Sequence, residues 1–182
     1  MAKKYIFNQD NTDFLLYKLR MNQKEILYEF LSPIGWLQIV ENNQNLTGLR
    51  FVSTNRHSLF KTPLIIEVEN QLKAFFERKL KFFQLPIKLN GTDFQLKVWN
   101  ELQNIPFGKT LTYKELSIKL NALKSIRAVG TANGANPIPI IIPCHRVIGS
   151  DGTLTGYSGG LKIKRQLLEL ERPITQTKLF GL

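Results

Sequence analysis

The sequence is short of cysteine, of acidic residues and of long apolar runs, and each shortage excludes a class of protein. Cys144 is the one cysteine among 182 residues, so an intrachain disulfide and a cysteine-rich zinc site are excluded. No apolar stretch approaches the ~18 residues that a membrane helix needs. After Lys3 and Lys4 the chain turns polar before any apolar segment forms, so we expect no signal peptide. These absences predict a cytoplasmic protein with no membrane partner and no bound metal.

The charge balance is strongly basic. Lysine and arginine number 25 against 14 aspartates and glutamates, which gives a net charge of +11. The excess is divided almost evenly between the two halves of the chain, so it is not a basic tail. Such a balance favours a polyanionic partner, nucleic acid first. A lysine-rich surface that keeps the protein dissolved by mutual repulsion explains the charge equally well.

The first half of the chain predicts a small α/β domain over residues 1–90. Residues 1–23 show little periodicity and are left unassigned. Three β-rich runs follow, at 26–30, 36–40 and 46–52, with turn sequences between them, which indicates an antiparallel meander. Thr62 and Pro63 are typical of the start of a helix, and its apolar spacing continues to about Lys79. Residues 82–86 predict one further edge strand. We find no chemistry in this half.

The second half, residues 91–182, is predicted to be mainly helical. Its four expected helices span about 94–105, 112–120, 125–133 and 161–171, the last stopped by Pro173. Thr112 and Glu115 match a capping box. The middle two helices and their tight turn outline a helix-turn-helix, and Ala128, Thr131 and Ala132 would give the later one a face of small residues. By pattern alone, an ordinary packed helical hairpin is the more frequent interpretation.

The segment around Cys144 carries the strongest chemical signal. His145 follows the cysteine directly, a proline-punctuated element at 136–139 precedes it, and a glycine-rich loop comes after it. A lone cysteine with a histidine and a downstream carboxylate is a candidate nucleophile. A buried free cysteine in an apolar run is otherwise an inert small hydrophobe.

The run Pro143-Cys144-His145-Arg146-Val147-Ile148-Gly149 resembles the active-site signature of the O6-alkylguanine-DNA alkyltransferases. Flanking segments match the same family in order: 91–95, 98–99, 105–110, 112–113, 127–130, 133–134, 136–137 and 156–161. The resemblance is specific over about 85–171 and only general over 24–80.

The resemblance implies an RNase-H-like α/β amino-terminal domain and a mainly α carboxy-terminal domain with a helix-turn-helix. It implies transfer of an alkyl group from O6-alkylguanine in duplex DNA, and less efficiently from O4-alkylthymine, to Cys144. The transfer would follow base flipping, would be stoichiometric and irreversible, and would need no cofactor. We expect a monomer; cooperativity on DNA is left open. Some relatives carry further cysteines for metal binding or for a transcriptional role, and this chain has none.

Four residues match the family's catalytic positions. They are Cys144 as nucleophile, His145 as the base that acts through a water, Glu171 as the group that orients the imidazole, and Asn136 as the hinge between the helix-turn-helix and the cysteine segment. Adjacent side chains on an extended strand diverge, so a direct hydrogen bond between Cys144 and His145 is not to be assumed.

The substrate and DNA positions follow from the same resemblance. Tyr113 would donate to guanine N3, Ser158 would bond O6, Tyr157 would form a pocket wall, and the Val147 carbonyl would read the exocyclic amine. On the DNA side the family positions are Arg127, which would fill the gap left by the flipped base, with Ser125 and Ala128 beside it. Without the motifs, Tyr113 would be read as a core aromatic and Arg127 as a solvated charge.

Two other functions remain open at this point. A lesion-binding protein that flags damage without reacting resembles the same family but lacks the cysteine, whereas this chain keeps Cys144. A cysteine hydrolase would use Cys144 and His145 but would leave the helix-turn-helix and Arg127 unexplained.

Overall fold

The computed structural model describes residues 25–53 and 61–172. Its first half is a three-stranded antiparallel sheet in the order β1-β2-β3 with one helix. The strands are β1 (Ile26–Ser32), β2 (Gly35–Asn42) and β3 (Asn45–Val52), and the helix is α1 (Pro63–Phe76). The meander predicted from the sequence is therefore confirmed. The unassigned residues 1–23 and the predicted stop at Pro173 lie outside the described residues.

Helix α1 begins as predicted and ends early. The Thr62 hydroxyl accepts a hydrogen bond from the Ile65 amide at 3.0 Å, and Pro63 is the first helical residue. The helix stops at Phe76 rather than near Lys79, because Arg78 has a φ of 60°. The amides of Lys79 and Leu80 turn back to the Ala74 carbonyl, at 2.8 and 3.1 Å, and close the last turn.

The predicted strand at 82–86 is wrong. Pairing with the sheet occurs just beyond it, where Ile87 forms an isolated parallel bridge with Leu46. The Leu46 amide donates to the Pro86 carbonyl at 2.8 Å, and the Lys88 amide donates to the Leu46 carbonyl at 3.0 Å. Pro86 has no N–H to give to a ladder. Phe83 contacts Phe75, with ring centroids 5.4 Å apart, so its ring serves the core.

In the second half, residues 91–172 hold four helices and a two-stranded parallel ribbon. They are α2 (Asp93–Gln103), β4 (Leu111–Thr112), α3 (Tyr113–Lys119), α4 (Ile126–Gly134), β5 (Val147–Ile148) and α5 (Gly160–Glu171), with 3₁₀ turns at Leu123–Ser125 and Cys144–Arg146. Thr112 and Glu115 form the predicted capping box at α3, and a second box starts α2. Asn121, with a φ of 53°, follows the end of α3.

One hydrophobic core joins the two halves. The Leu49 amide of β3 donates to the Pro137 carbonyl at 2.9 Å, so the sheet lies against the segment that leads to Cys144. Trp99 of α2 donates its indole N–H to the Ala132 carbonyl at 2.8 Å. Ala132 is 3% exposed, whereas Ala128 and Thr131, which share the predicted small-residue face with it, are exposed. Across 25–53 and 61–172, no helix is long and apolar enough to cross a membrane.

Candidate active site

Cys144 opens a single 3₁₀ turn, Cys144–Arg146, and does not lie on an extended strand as expected from the sequence. The Cys144 amide donates to the Ile142 carbonyl at 2.8 Å, and the Arg146 amide donates to the Pro143 carbonyl at 3.0 Å. Strand β5 begins only at Val147. The cysteine is 3% exposed, so the turn holds a nearly inaccessible thiol at the edge of the core.

Asn136 braces the approach to this turn. Its Oδ1 accepts a hydrogen bond from the Ile138 amide at 3.0 Å, and its Nδ2 donates to the Ile142 carbonyl at 2.8 Å. Ile140, which lies between Ile138 and Ile142 in the chain, is fully buried and has a φ of 75°. This conformation costs a β-branched residue on the order of 1–3 kcal/mol and persists only where the surroundings enforce it. The Asn136 bonds and the burial of Ile140 supply that constraint.

The Cys144 thiol is strongly biased towards its protonated form. Burial raises the pKa of the Cys144 thiol to about 11, and the Asn136 side chain and the charge of Lys164 lower it only in part. At pH 7 about one such thiol in ten thousand is ionised. Because the thiolate is the reactive species, any nucleophilic chemistry here requires a base.

His145 and Glu171 form a fully buried pair. His145 Nε2 lies 2.8 Å from Glu171 Oε1, and their side chains are 0% and 1% exposed. The Arg146 guanidinium bonds both Glu171 oxygens, and its Nη1 donates to the Ile105 carbonyl at 2.6 Å. The Gly108 amide adds a hydrogen bond to Glu171 Oε2 at 3.0 Å. The last residue of α5 is thereby joined to the cysteine turn.

These contacts set the protonation states of the pair. Burial alone would raise the pKa of Glu171, but the hydrogen bonds from His145 and Arg146 and the positive charge of Arg146 outweigh it and hold that pKa at about 2. Burial lowers the pKa of His145 despite the Glu171 carboxylate, and the charges of Arg146 and Lys164 lower it further. An ionised carboxylate only accepts hydrogen bonds, so neutral His145 carries its proton on Nε2.

His145 Nδ1 is consequently an unprotonated acceptor. It is buried and has no hydrogen-bond partner within the described part of the chain. A neutral imidazole with its proton fixed on one nitrogen presents the other as a base. His145 can therefore act as a base, and it directly follows Cys144, whose thiol needs one.

Tyr113, at the start of α3, joins the cysteine turn through a residue that the sequence analysis did not assign to the site. Asn133 Nδ2 lies 3.4 Å from the Tyr113 hydroxyl and 3.5 Å from the Cys144 carbonyl. Burial raises the pKa of Tyr113, so its phenol keeps its proton. Asn133 belongs to the segment 133–134 that matches the family, but its contact with the cysteine turn is visible only in the fold.

Lys164 on α5 was also missed. It is fully buried, its Nζ donates to the Thr155 carbonyl at 2.6 Å and lies 5.9 Å from the centre of the Tyr113 ring. Burial lowers the pKa of Lys164 to about 8, although Cys144 acts in the opposite direction. Helical periodicity gives no sign of it, because lysines are normally exposed and Lys162 in the same helix is exposed.

The remaining predicted substrate residues lie around the same turn. Tyr157 has its ring centre 6.4 Å from that of His145, and its buried hydroxyl has no partner among residues 25–53 and 61–172. Val147 is buried and pairs with Leu111 in the parallel ribbon. Ser158 is exposed and lines a cleft with Asn136.

The predicted DNA residues lie apart from this buried cluster. Ser125 ends the 3₁₀ turn before α4, Arg127 and Ala128 follow in the first turn of α4, and all three are exposed. The opposite side of α4 carries Asn133 towards Cys144. One short helix therefore connects an exposed surface to the thiol.

No group of three or more histidine, cysteine or acidic side chains arranged to hold a metal ion occurs in the described ranges.

Comparison with known proteins gives a consistent result. Residues 93–173 match the family model described as 6-O-methylguanine DNA methyltransferase, DNA binding domain. Methylated-DNA–protein-cysteine methyltransferases of Methanosarcina barkeri and Methanosarcina mazei are 47% and 54% identical, each over 77% of this chain and 92% of the relative. The crystal structure of Mycobacterium tuberculosis OGT in complex with DNA has a TM-score of 0.72 at 44% identity, covering 80% of this chain and 92% of that one. By this similarity the chain belongs to the methylated-DNA–protein-cysteine methyltransferase family.

Proposed function

We propose that this protein repairs duplex DNA by transferring the alkyl group of O6-alkylguanine, and less efficiently of O4-alkylthymine, irreversibly to Cys144. The observation that carries the proposal is the buried His145–Glu171 pair, with Nε2 and Oε1 2.8 Å apart, in the residue after the cysteine. It leaves a neutral imidazole next in sequence to a thiol that burial keeps protonated. A buried thiol needs such a base before it can act as a nucleophile.

In the proposed reaction the thiol proton passes through a water to His145 Nδ1. The sulfur attacks the alkyl carbon, and its bond to that carbon forms as the carbon–O6 bond breaks. The bonding electron pair stays on the guanine, which takes up one proton in place of the one that Cys144 gave up and is restored as the unmodified base. The thioether product has no ready leaving pathway, so each protein molecule acts once.

The leaving guanine requires hydrogen bonds. We assign Tyr113 as the donor to N3, since its raised pKa keeps the phenol protonated. Ser158 would donate to O6 and Tyr157 would form the pocket wall. The backbone carbonyls of Val147 and Cys144 would accept from the exocyclic amine.

The reacting carbon is hidden in the base stack, so the nucleotide must be flipped out of the duplex. We propose that α3, the 3₁₀ turn and α4 form a helix-turn-helix that binds the DNA, which is consistent with the packing of α3 against α4. Arg127 would fill the gap left by the flipped base, and Ser125 and Ala128 would lie against the DNA backbone. Their exposure fits such a surface.

We retain the domain division as part of the proposal. Residues 1–90 would form an RNase-H-like domain and residues 91–182 the DNA-binding and transfer domain, acting together as a monomer without a cofactor. The placement of the sheet and α1 before residue 90 supports this boundary.

Intact-mass measurement after incubation with a duplex that contains O6-methylguanine tests the function. We expect one methyl group per protein molecule, located on Cys144 and never exceeding one equivalent. The matched control is Cys144→Ser, which should gain nothing and keep most of its DNA affinity. An unmodified wild-type protein that still binds the lesion would support the non-reactive rival. Multiple turnover on an ester would support the hydrolase.

A further inference from the structure

Tyr157 and Ser158 belong to a segment that has little stiffness of its own. Three of the five residues at 156–160, here called the pocket-wall segment, are glycines. Gly156 and Gly160 have φ values of 39° and 84°, a region that glycine tolerates better than other residues. The Gly160 amide donates to the Tyr157 carbonyl at 2.9 Å, which closes a turn within the segment. The position of the segment therefore depends on what packs against it.

Phe51 of β3 packs against this segment at two places. Its ring makes an edge-on contact with Tyr157, with centroids 5.7 Å apart and planes at 63°. The same ring lies against the backbone at Gly159, where an added Cβ would be 2.8 Å from Phe51 Cδ2 and Cε2. One half-buried side chain of the amino-terminal sheet thus touches the segment on both sides of Ser158.

The opposite edge of the site is attached to the same strand. Two residues before Phe51, the Leu49 amide donates to the Pro137 carbonyl at 2.9 Å, next to the hinge residue Asn136. A cleft of about 240 Å³ lies between β3, Asn136 and Ser158. Strand β3 therefore contacts both the approach to Cys144 and the pocket-wall segment.

We propose that Phe51 is a positioning residue that determines which alkyl groups the site accepts, because it holds Tyr157 and Ser158 at a fixed distance from Cys144. The inference rests on the alkyl-transfer function proposed above. With the ring present, the wall stays close to the thiol and suits a methyl group. Without it, the wall recedes towards β3, which gives a larger group room and leaves the small lesion less well held.

The test compares two lesions in one duplex sequence. Second-order transfer rates are measured for O6-methylguanine and O6-benzylguanine with wild type, Phe51→Ala and Phe76→Ala. Phe76 is another half-buried phenylalanine of the same half, in contact with Phe75 at 5.6 Å. We expect the benzyl-to-methyl rate ratio to rise about three- to tenfold in Phe51→Ala, the range that one lost aromatic pair allows, and to stay constant in Phe76→Ala. Changes in DNA affinity or flipping cancel in the ratio.

Gly159 provides a second, independent measurement. Its φ of −86° and ψ of 3° suit alanine, and the three nearest atoms to the new methyl group all belong to Phe51. Gly159→Ala should therefore slow methyl transfer in wild type and slow it much less in the Phe51→Ala background. Additive effects would contradict a direct contact. Phe51→Leu replaces Phe51→Ala if the latter does not fold.

The outcomes separate the two proposals. If wild type transfers no methyl group from the duplex, the proposed function fails. If wild type reacts but the benzyl-to-methyl ratio in the Phe51 variant stays within about twofold of wild type, only the role of Phe51 is overturned. A rise of the ratio in both phenylalanine variants would show a general loosening of the amino-terminal half and would also overturn that role.

Discussion

Glu171 and Lys164 are buried residues of opposite charge on the same helix, and their surroundings differ. Glu171 accepts hydrogen bonds from His145, Arg146 and Gly108. Lys164 donates to a single backbone carbonyl, that of Thr155. A buried charge is tolerated when it is paired and hydrogen-bonded, and is costly otherwise. The carboxylate should therefore stabilise the fold, and the ammonium should weaken it.

Glu171→Gln is expected to lower both activity and stability. The substitution leaves the buried Arg146 charge uncompensated, which costs about 3–5 kcal/mol of unfolding free energy. It also removes the ionised acceptor that fixes the proton on His145 Nε2, so transfer from free O6-benzylguanine should slow. Denaturant unfolding and transfer rates are the measurements. Glu169→Gln, an exposed change in the same helix, should leave both near wild type.

The depressed pKa of Glu171 also predicts an acid limb of stability. Its pKa is about 2 in the folded protein against an ordinary value of 4.5. The unfolded chain therefore binds a proton first as the pH falls, and the stability from Glu171, fully present above 4.5, is lost between 4.5 and 2. Unfolding free energies across this range should fall more steeply for wild type than for Glu171→Gln. Parallel curves would show that the carboxylate is not specially stabilised.

Lys164→Met is expected to raise stability and to slow transfer. The folded pKa of Lys164 is about 8 against an ordinary 10.5, so at pH 7 the folded state carries the full cost of a buried cation. Methionine of similar length removes that cost, by roughly 1–3 kcal/mol. It also removes the positive charge that lowers the Cys144 pKa. We expect the unfolding free energy to rise and the rate of transfer from free O6-benzylguanine to fall. A variant that is both less stable and slower would contradict this prediction.

At the scale of secondary structure, the elements that the sequence predicted well are those with local signals. The capping box of Thr112 and Glu115 lies within four residues, and the meander follows from turn sequences between β-rich runs. The 3₁₀ turn at Cys144 was not predicted, because the conformation of Ile140 that leads into it depends on the hydrogen bonds of Asn136 and on burial in the core. Lys164 and Asn133 were missed because their roles depend on Tyr113 and Cys144, which only the fold brings near them.

Helix α4 contacts the Cys144 carbonyl through Asn133 on one side and exposes Arg127 on another, and substitution of Arg127 tests the proposed role of the exposed side. If Arg127 fills the space of the flipped base, Arg127→Ala should slow repair of a duplex lesion far more than transfer from free O6-benzylguanine. Duplex repair must first meet an unstacking cost of a few kcal/mol, and each 1.36 kcal/mol of lost help is about a tenfold slower step. Arg127→Lys should recover only part, since it lacks the planar guanidinium. Equal slowing of both substrates would mean that Arg127 supports the fold.

At the scale of the whole molecule, the count of 25 lysines and arginines overstates the number of cations that are free to contact DNA. Arg146 is neutralised by Glu171, Lys61 and Lys73 pair with Glu69, and Lys164 is buried. Around α4, by contrast, Lys124 and Arg127 are exposed. Because α4 is the helix proposed to bind DNA, we expect Lys124 and Arg127 to be among the cations that contact phosphates.

The salt dependence of DNA binding tests this view. Each neutralised phosphate contributes about −0.9 to the slope of log affinity against log salt, so the slope should be clearly negative. It should also be similar for lesion-containing and undamaged duplexes, because phosphate contacts carry no sequence information. Lys124→Ala should make the slope about 0.9 less negative. Lys73→Ala, which removes an exposed cation already paired with Glu69, should leave it unchanged. A wild-type slope near zero would contradict the DNA assignment, whereas equal effects of the two lysines would show that attraction is spread over the whole surface.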